Sequence, residues 1–228
     1  MSIPNRTLAL FIERLRESPF FGRLSEESLA FLVEQVQQTN FEVNETIFHE
    51  GEPSQGLYWL HSGALKAVKY AVSGKEQILH FIKPGQTFNE VGAFSDLPNP
   101  ASVVALEPVQ VWRIPREAIR QRLQQDSTFA QLIIDILSER LRQSVTLIED
   151  LSLRPVINRL SRLILDEADG NTFFRPSWYT QYELAARLGT VEDVVQRALR
   201  QLEVGDLIEV NRQRIRIIDR DELEKLAA

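Results

Sequence analysis

The chain has 228 residues, with 26 Lys and Arg against 32 Asp and Glu, for a formal net charge of −6. Hydrophobic residues make up 43% and charged residues 25%, the balance of an ordinary globular protein with room for one large domain or two modest ones. Cysteine is absent, which excludes disulfides, thiolate zinc sites, Fe–S clusters and cysteine nucleophiles.

The longest apolar runs, such as Leu8–Ile12, fall far short of a membrane span, and Glu13 interrupts the first of them. The expectation is a cytoplasmic protein with no membrane partner. The acidity is uneven. Residues 1–150 carry 14 basic and 19 acidic groups, whereas residues 151–218 carry 10 and 9. Nothing is strongly basic, so any attraction for phosphate is local.

In chain order, Thr7–Glu17 and Ser25–Gln38 have helical spacing, with Ser25 as a candidate cap of the second helix. Six of the ten glycines then fall between positions 51 and 92. Between them lie β-rich runs at Gly56–His61, Ala64–Tyr70 and Gln77–Ile82, followed by Ser102–Leu106 and Gln110–Ile114. Short strands separated by single-glycine turns predict a compact antiparallel roll or barrel.

From Arg116 to Leu153 the pattern turns helical. Ile134, Leu137, Leu141, Ser144, Ile148 and Leu151 follow a 3-4-3-4-3 spacing, the seam of a two-helix coiled coil. Ile133, Ile136 and Leu147 widen the stripe, so one side is free to pack on the roll. A core helix inside one domain would carry the same pattern. Arg154–Pro155 breaks the helix and marks a boundary, giving segments 1–115, 116–153 and 154–228.

The third segment holds the sharpest local signal. Thr180–Glu183 spells a capping box at the head of a helix, and Gly189 stands where a left-handed C-cap is needed. Thr190–Asp193 reads as a second cap, and Gly205 closes the helix that follows. Leu207–Val210 and Arg214–Ile218 predict a hairpin about residues 211–213. Helix, glycine turn, helix and hairpin make a winged helix-turn-helix, although any αα-hairpin with a trailing hairpin would share the outline.

The stretches Ile47–Gly51, Gly56–Gly63, Gly85–Glu90 and Tyr182–Ile208, in this order, resemble the CRP/FNR family of bacterial transcription regulators, the cAMP-receptor and fumarate-nitrate-reduction regulators. The resemblance spans roughly residues 18–220. It implies an α+β chain with an N-terminal β-roll like a cyclic-nucleotide-binding domain, a long dimerisation helix and a C-terminal winged helix-turn-helix. It also implies a homodimer on a double-stranded DNA operator, with RNA polymerase as a further partner and Ile134, Leu137, Leu141 and Ile148 at the dimer interface.

In cAMP-binding members a Gly-Glu pair and a later Arg-Ser pair hold the nucleotide. Here Asn89 replaces the glycine, Glu90 keeps the acid, and the Arg-Ser pair would fall within Asn99–Ala101. No arginine lies between Lys83 and Arg113, so a cyclic phosphate would lack a guanidinium partner and cAMP is disfavoured. The missing cysteines remove the Fe–S branch. Haem stays open through His80, which alternates with Ile78 and Ile82, and Asn89–Pro100 resembles nitrosative-stress members that use haem. Arg140 and Ser144 fall where the family's dimer helix touches its effector.

For DNA, the resemblance places Glu192, Gln196 and Arg197 on the reading helix, with Glu192 where an arginine is usual. Arg197 suits guanine or phosphate and Gln196 suits adenine. Arg187, Arg200, Arg212, Arg214 and Arg216 supply phosphate contacts, Gln181 opens a helix whose amides suit a phosphate, and Thr190 begins the second cap. Nothing supports an enzyme: there is no Walker A, no HExxH and no nucleophile–base pair in a recognisable setting. Two alternatives to an effector-controlled regulator are a family member governed by its abundance and a cyclic-nucleotide-type module that binds a partner protein.

Overall fold

The computed structural model describes residues 15–16 and 21–227. The helix expected at Thr7–Glu17 lies outside these residues except for Leu15 and Arg16, which are helical. Helix α1 (Glu26–Glu34) starts at Ser25, whose hydroxyl accepts from the Ser28 amide. It stops four residues short of the expected end, because Gln37–Phe41 forms strand β1 and pairs with a later strand. Next come β2 (Thr46–Phe48), β3 (Gly56–Ser62), β4 (Leu65–Tyr70), β5 (Glu76–Ile82), β6 (Thr87–Phe88) and the short helix α2 (Glu90–Phe94). Strands β7 (Ser102–Ala105) and β8 (Val109–Pro115) complete the roll.

The predicted continuous helix from Arg116 is two helices, α3 (Arg116–Gln125) and α4 (Ser127–Leu153). Asp126 between them is extended, and its carboxylate accepts from the Thr128 and Phe129 amides at 2.9 and 3.1 Å. An aspartate satisfying the first amides of a new helix outcompetes continuation of the old one. Beyond Pro155 follow α5 (Val156–Glu167), β9 (Thr172–Phe174), α6 (Gln181–Leu188), α7 (Glu192–Val204), β10 (Ile208–Val210), β11 (Arg214–Ile217) and α8 (Arg220–Ala227).

The chain divides into two compact units, residues 1–69 with 80–143 and residues 70–79 with 144–228. The strands of the roll form two four-stranded sheets, β1-β8-β3-β6 and β2-β7-β4-β5. Strand β3 is buried on both faces, which explains its unbroken apolar run. Leu57 and Trp59 join Trp112, Ile114, Phe129, Leu132 and Ile133 in a core shared with α1, α3 and α4. Tyr58, one residue out of phase, stacks on Phe88 at 5.2 Å and meets Phe48 at 5.3 Å between ring centres. Gly56 is required where β3 meets β8, since a Cβ there would lie 2.0 Å from the Ile114 carbonyl oxygen.

In the second unit α5 packs on α7 and α8, and a three-stranded sheet runs in the order β10-β11-β9. Leu160, Ile164, Leu184, Val195, Leu202, Ile215 and Leu223 are buried there. Among the described residues no helix is long and apolar enough to cross a membrane.

Candidate effector pocket and nucleic-acid interface

Asn89 and Glu90 sit at the start of α2, directly after β6. Asn89 takes the left-handed conformation (φ 66°), and its amide nitrogen donates to Ser54 Oγ at 3.0 Å and the Gly56 carbonyl at 3.2 Å. Asparagine tolerates this backbone better than most residues, so glycine is not needed here. Glu90 is 6% exposed. Its Oε1 accepts from Thr87 Oγ1 at 2.8 Å and from Arg140 Nη2 at 3.0 Å, and the same Nη2 donates to the Thr87 carbonyl at 2.7 Å. Arg140 thus reaches from α4 to neutralise the carboxylate of the roll.

Asn99 is buried and donates to the His49 carbonyl at 3.2 Å, while its backbone exchanges bonds with Gly51 and Glu52, so it braces a turn. His80 is half-buried on β5, between fully buried Ile78 and Ile82 in the alternation. Ser144 is exposed on α4 and belongs to the second unit. Among the described residues no three His, Asp or Glu side chains group to hold a metal ion. Burial raises the pKa of Tyr58 beside this region, against the lowering effect of Arg113.

On α4 the heptad positions Ile134, Leu141 and Ile148 are 55%, 66% and 63% exposed. Leu137 instead packs against the core of the roll, as do Ile133 and Ile136. An exposed apolar row backed by a buried one matches a helix that serves two interfaces.

In the second unit Thr180 caps α6, accepting from the Glu183 amide. The Thr180 amide donates to the Trp178 carbonyl, and the Glu183 carboxylate bonds the Thr180 hydroxyl. Gly189 is left-handed (φ 67°), and a Cβ there would lie 2.6 Å from the Leu151 side chain. The expected cap at Thr190 is displaced. Its amide still closes the turn by donating to the Ala185 carbonyl, and extended Val191 is the N-cap of α7 without a side-chain bond. Gly205 caps α7 in a right-handed conformation, and Asp206 takes the left-handed one (φ 56°).

Helix α7 buries Val195, Ala198, Leu199 and Leu202, and exposes Glu192, Gln196, Arg197 and Arg200. Arg197 Nε lies back along the helix at 3.4 Å from the Asp193 carbonyl. Glu192 and Asp193 stand in the first turn, where the helix dipole favours acids. On the hairpin, Arg214 and Arg216 alternate with buried Ile215 and Ile217, and Arg212 is exposed in the turn. Arg216 is tied to Glu209 at 2.8 Å, which weakens it as a phosphate contact.

Arg187 does not stand with them. It lines a cavity of about 40 Å³ with Leu147, Asp150, Arg159, Arg162 and Asp166, and burial lowers its pKa. Burial likewise raises the carboxyl of Asp166. The end of a short amphipathic helix looks exposed in sequence, and the chain segments that cover Arg187 are remote from it.

Comparison with known proteins accounts for both units. The family model for the cyclic nucleotide-binding domain matches residues 38–126, and that for the Crp-like helix-turn-helix domain matches residues 158–226. This chain is a CRP/FNR-family transcription regulator.

It is 26% identical over 221 residues to the CRP-like cAMP-activated global transcriptional regulator of Mycobacterium tuberculosis, covering 94% of this chain and 99% of that one. The structure of FixK2 from Bradyrhizobium japonicum superposes with a TM-score of 0.76 at 21% identity, covering 85% of the regulator and 98% of FixK2. The c-di-GMP responsive global regulator CLP of Xanthomonas campestris gives 0.72 at 18% identity, covering 86% and 100%. These two likenesses establish the shared fold. The regulator is a DNA-binding protein with an effector-binding domain. Sequence reasoning did not single out Lys75, Gln77 or Arg159, all of which hold the helix-turn-helix; the turn at Gly74 was the available signal.

Proposed function

We propose that the regulator acts as a homodimer joined along Ile134, Leu141 and Ile148, and that its roll answers to an effector other than a cyclic nucleotide. The Glu90–Arg140 pair carries this reading. A cyclic nucleotide needs a free carboxylate for its ribose and a guanidinium for its phosphate. Here the carboxylate already accepts from Thr87 and Arg140, and the cassette between Lys83 and Arg113 has no arginine. A phosphate entering this site would have to draw Arg140 away from Glu90 or remain unpaired.

DNA reading is assigned to Gln196, Arg197 and Arg200 on α7, with Glu192 accepting from cytosine, and to Arg212 and Arg214 on the wing. Thr190 and the amides beginning at Gln181 hold phosphates, and RNA polymerase is the partner once the operator is bound. His80 would be the haem ligand if the effector were haem.

Calorimetric titration with cAMP and cGMP tests the effector reading. No saturable heat is expected at millimolar nucleotide, and micromolar binding would overturn it.

A further inference from the structure

The C-terminal carbonyls of α6 are unusually well supplied with donors. Helix ends leave their last carbonyls without intrahelical partners, and the negative end of the dipole favours cations. Here the Arg187 carbonyl accepts from Gln77 Nε2 at 3.3 Å, the Leu188 carbonyl from Arg159 Nη1 at 2.6 Å, and the Gly189 carbonyl from Lys75 Nζ at 3.3 Å. At the other end of α6, Tyr182 Oη donates to Glu76 Oε2 at 3.2 Å.

Three consecutive residues of the β4–β5 hairpin therefore grip both ends of the first helix of the helix-turn-helix. Their alternation fits this. Lys75 and Gln77 point to one side of the strand and meet the C-terminal end, while Glu76 points to the other and meets Tyr182. Residues 70–79 cluster with the DNA-binding unit, and Gly189 has Gln77 Oε1 3.0 Å from where its Cβ would be.

We propose that Lys75, Glu76 and Gln77 form a strap that positions the turn between α6 and α7, and so sets how well the reading helix fits its operator, without touching DNA. None of the three is a DNA contact. Their effect is carried by the angle at Gly189–Thr190, where donors and close packing leave little slack. Because β5 continues covalently from the strap to His80, Phe81 and Ile82, a shift of that strand alters the grip. The proposal rests on α7 as the DNA reader.

The test compares the wild type with a Lys75→Ala/Gln77→Ala double variant. Affinity is measured for a duplex selected from a random library by the wild type and for unselected duplex. The ratio of the two affinities is expected to fall about three- to tenfold, as the loss of two modest hydrogen bonds implies. Binding to unselected duplex and its salt dependence should be unchanged, which a general loss of folding would not allow. Lys75→Arg, which keeps a cationic donor, should retain most of the ratio. An unchanged or increased ratio in the double variant would overturn the proposal.

The absence of native cysteine permits a second measurement. Spin labels at Val72→Cys and Val204→Cys, both highly exposed positions, should give one narrow distance that broadens when the strap is cut. Equal widths with and without the strap residues would overturn the proposal even if no selective duplex were found. Arg197→Ala separates the two readings, since it should lower the ratio while leaving the label distance narrow.

Discussion

Glu90 and Arg140 direct their charges at each other inside the roll, whereas Gln196, Arg197, Arg200, Arg212 and Arg214 stand on the surface of the winged helix-turn-helix. The first arrangement is largely closed: Glu90 Oε1 already accepts from both Thr87 and Arg140, so a ligand that needs that oxygen or the guanidinium competes with existing bonds. The second leaves polar groups in water, where a duplex bound as proposed would replace solvent and counterions at little cost to the fold. A net charge of −6 therefore says little about DNA binding. What matters is which charges are already engaged.

Breaking the closed pair gives the largest expected effect. Glu90→Ala leaves the guanidinium of Arg140, itself one-quarter exposed, facing the Thr87 carbonyl without its carboxylate. Loss of one partner from a largely buried pair should cost about 2–3 kcal/mol of stability. Glu90→Gln keeps an acceptor for Thr87 and should cost about 1 kcal/mol. Urea unfolding monitored by tryptophan fluorescence, with Trp59 and Trp112 in the core, measures both. Equal stabilities would show that the pair is no more than a surface bridge.

On the open face, Arg197→Ala should weaken binding to a selected operator by about 1–3 kcal/mol and relax specificity at one position. Arg214→Ala should weaken all duplexes alike and reduce the slope of log affinity against log salt by about 1. Neither change should alter unfolding. Mobility shifts over a salt series separate them, and identical behaviour of the two variants would remove the distinction between base and phosphate contacts.

Much of this division was legible in the sequence because local chemistry agrees with the fold. The glycine-bounded strands, the left-handed Gly189 and the hairpin about residues 211–213 all carry their own signals. Strand β1 does not: Gln37, Gln38, Thr39 and Asn40 are polar and exposed, and the segment is a strand only because β8 offers it a backbone edge. Helix α8 is mostly charged and is held chiefly by Leu223 and Ala227. The Glu90–Arg140 contact joins residues fifty positions apart; the family resemblance placed both near an effector, but only the structure shows that they satisfy each other. Arg187 was misplaced for the same reason: its neighbours come from α4 and α5, beyond any local window.

Asp126 gives the smallest effect and sharpens the comparison, because it combines a closed account with partial access to water. Its carboxylate bonds the Ser28 hydroxyl, the Phe129 and Thr128 amides and Arg122, and these contacts, led by Ser28, hold its pKa below the ordinary 3.8. A depressed folded-state pKa means that the ionised group stabilises the fold at any pH above its unfolded value. That contribution persists as pH falls to 3.8 and is lost as pH falls further, through the folded-state value. Asp126→Asn retains a capping oxygen but loses the charge, so it should cost about 1 kcal/mol at neutral pH. The gap between wild type and variant should stay level from pH 7 to about 4 and close below that. A gap that instead widened in acid would mean that the aspartate acts as a neutral cap, and that the break between α3 and α4 owes nothing to its charge.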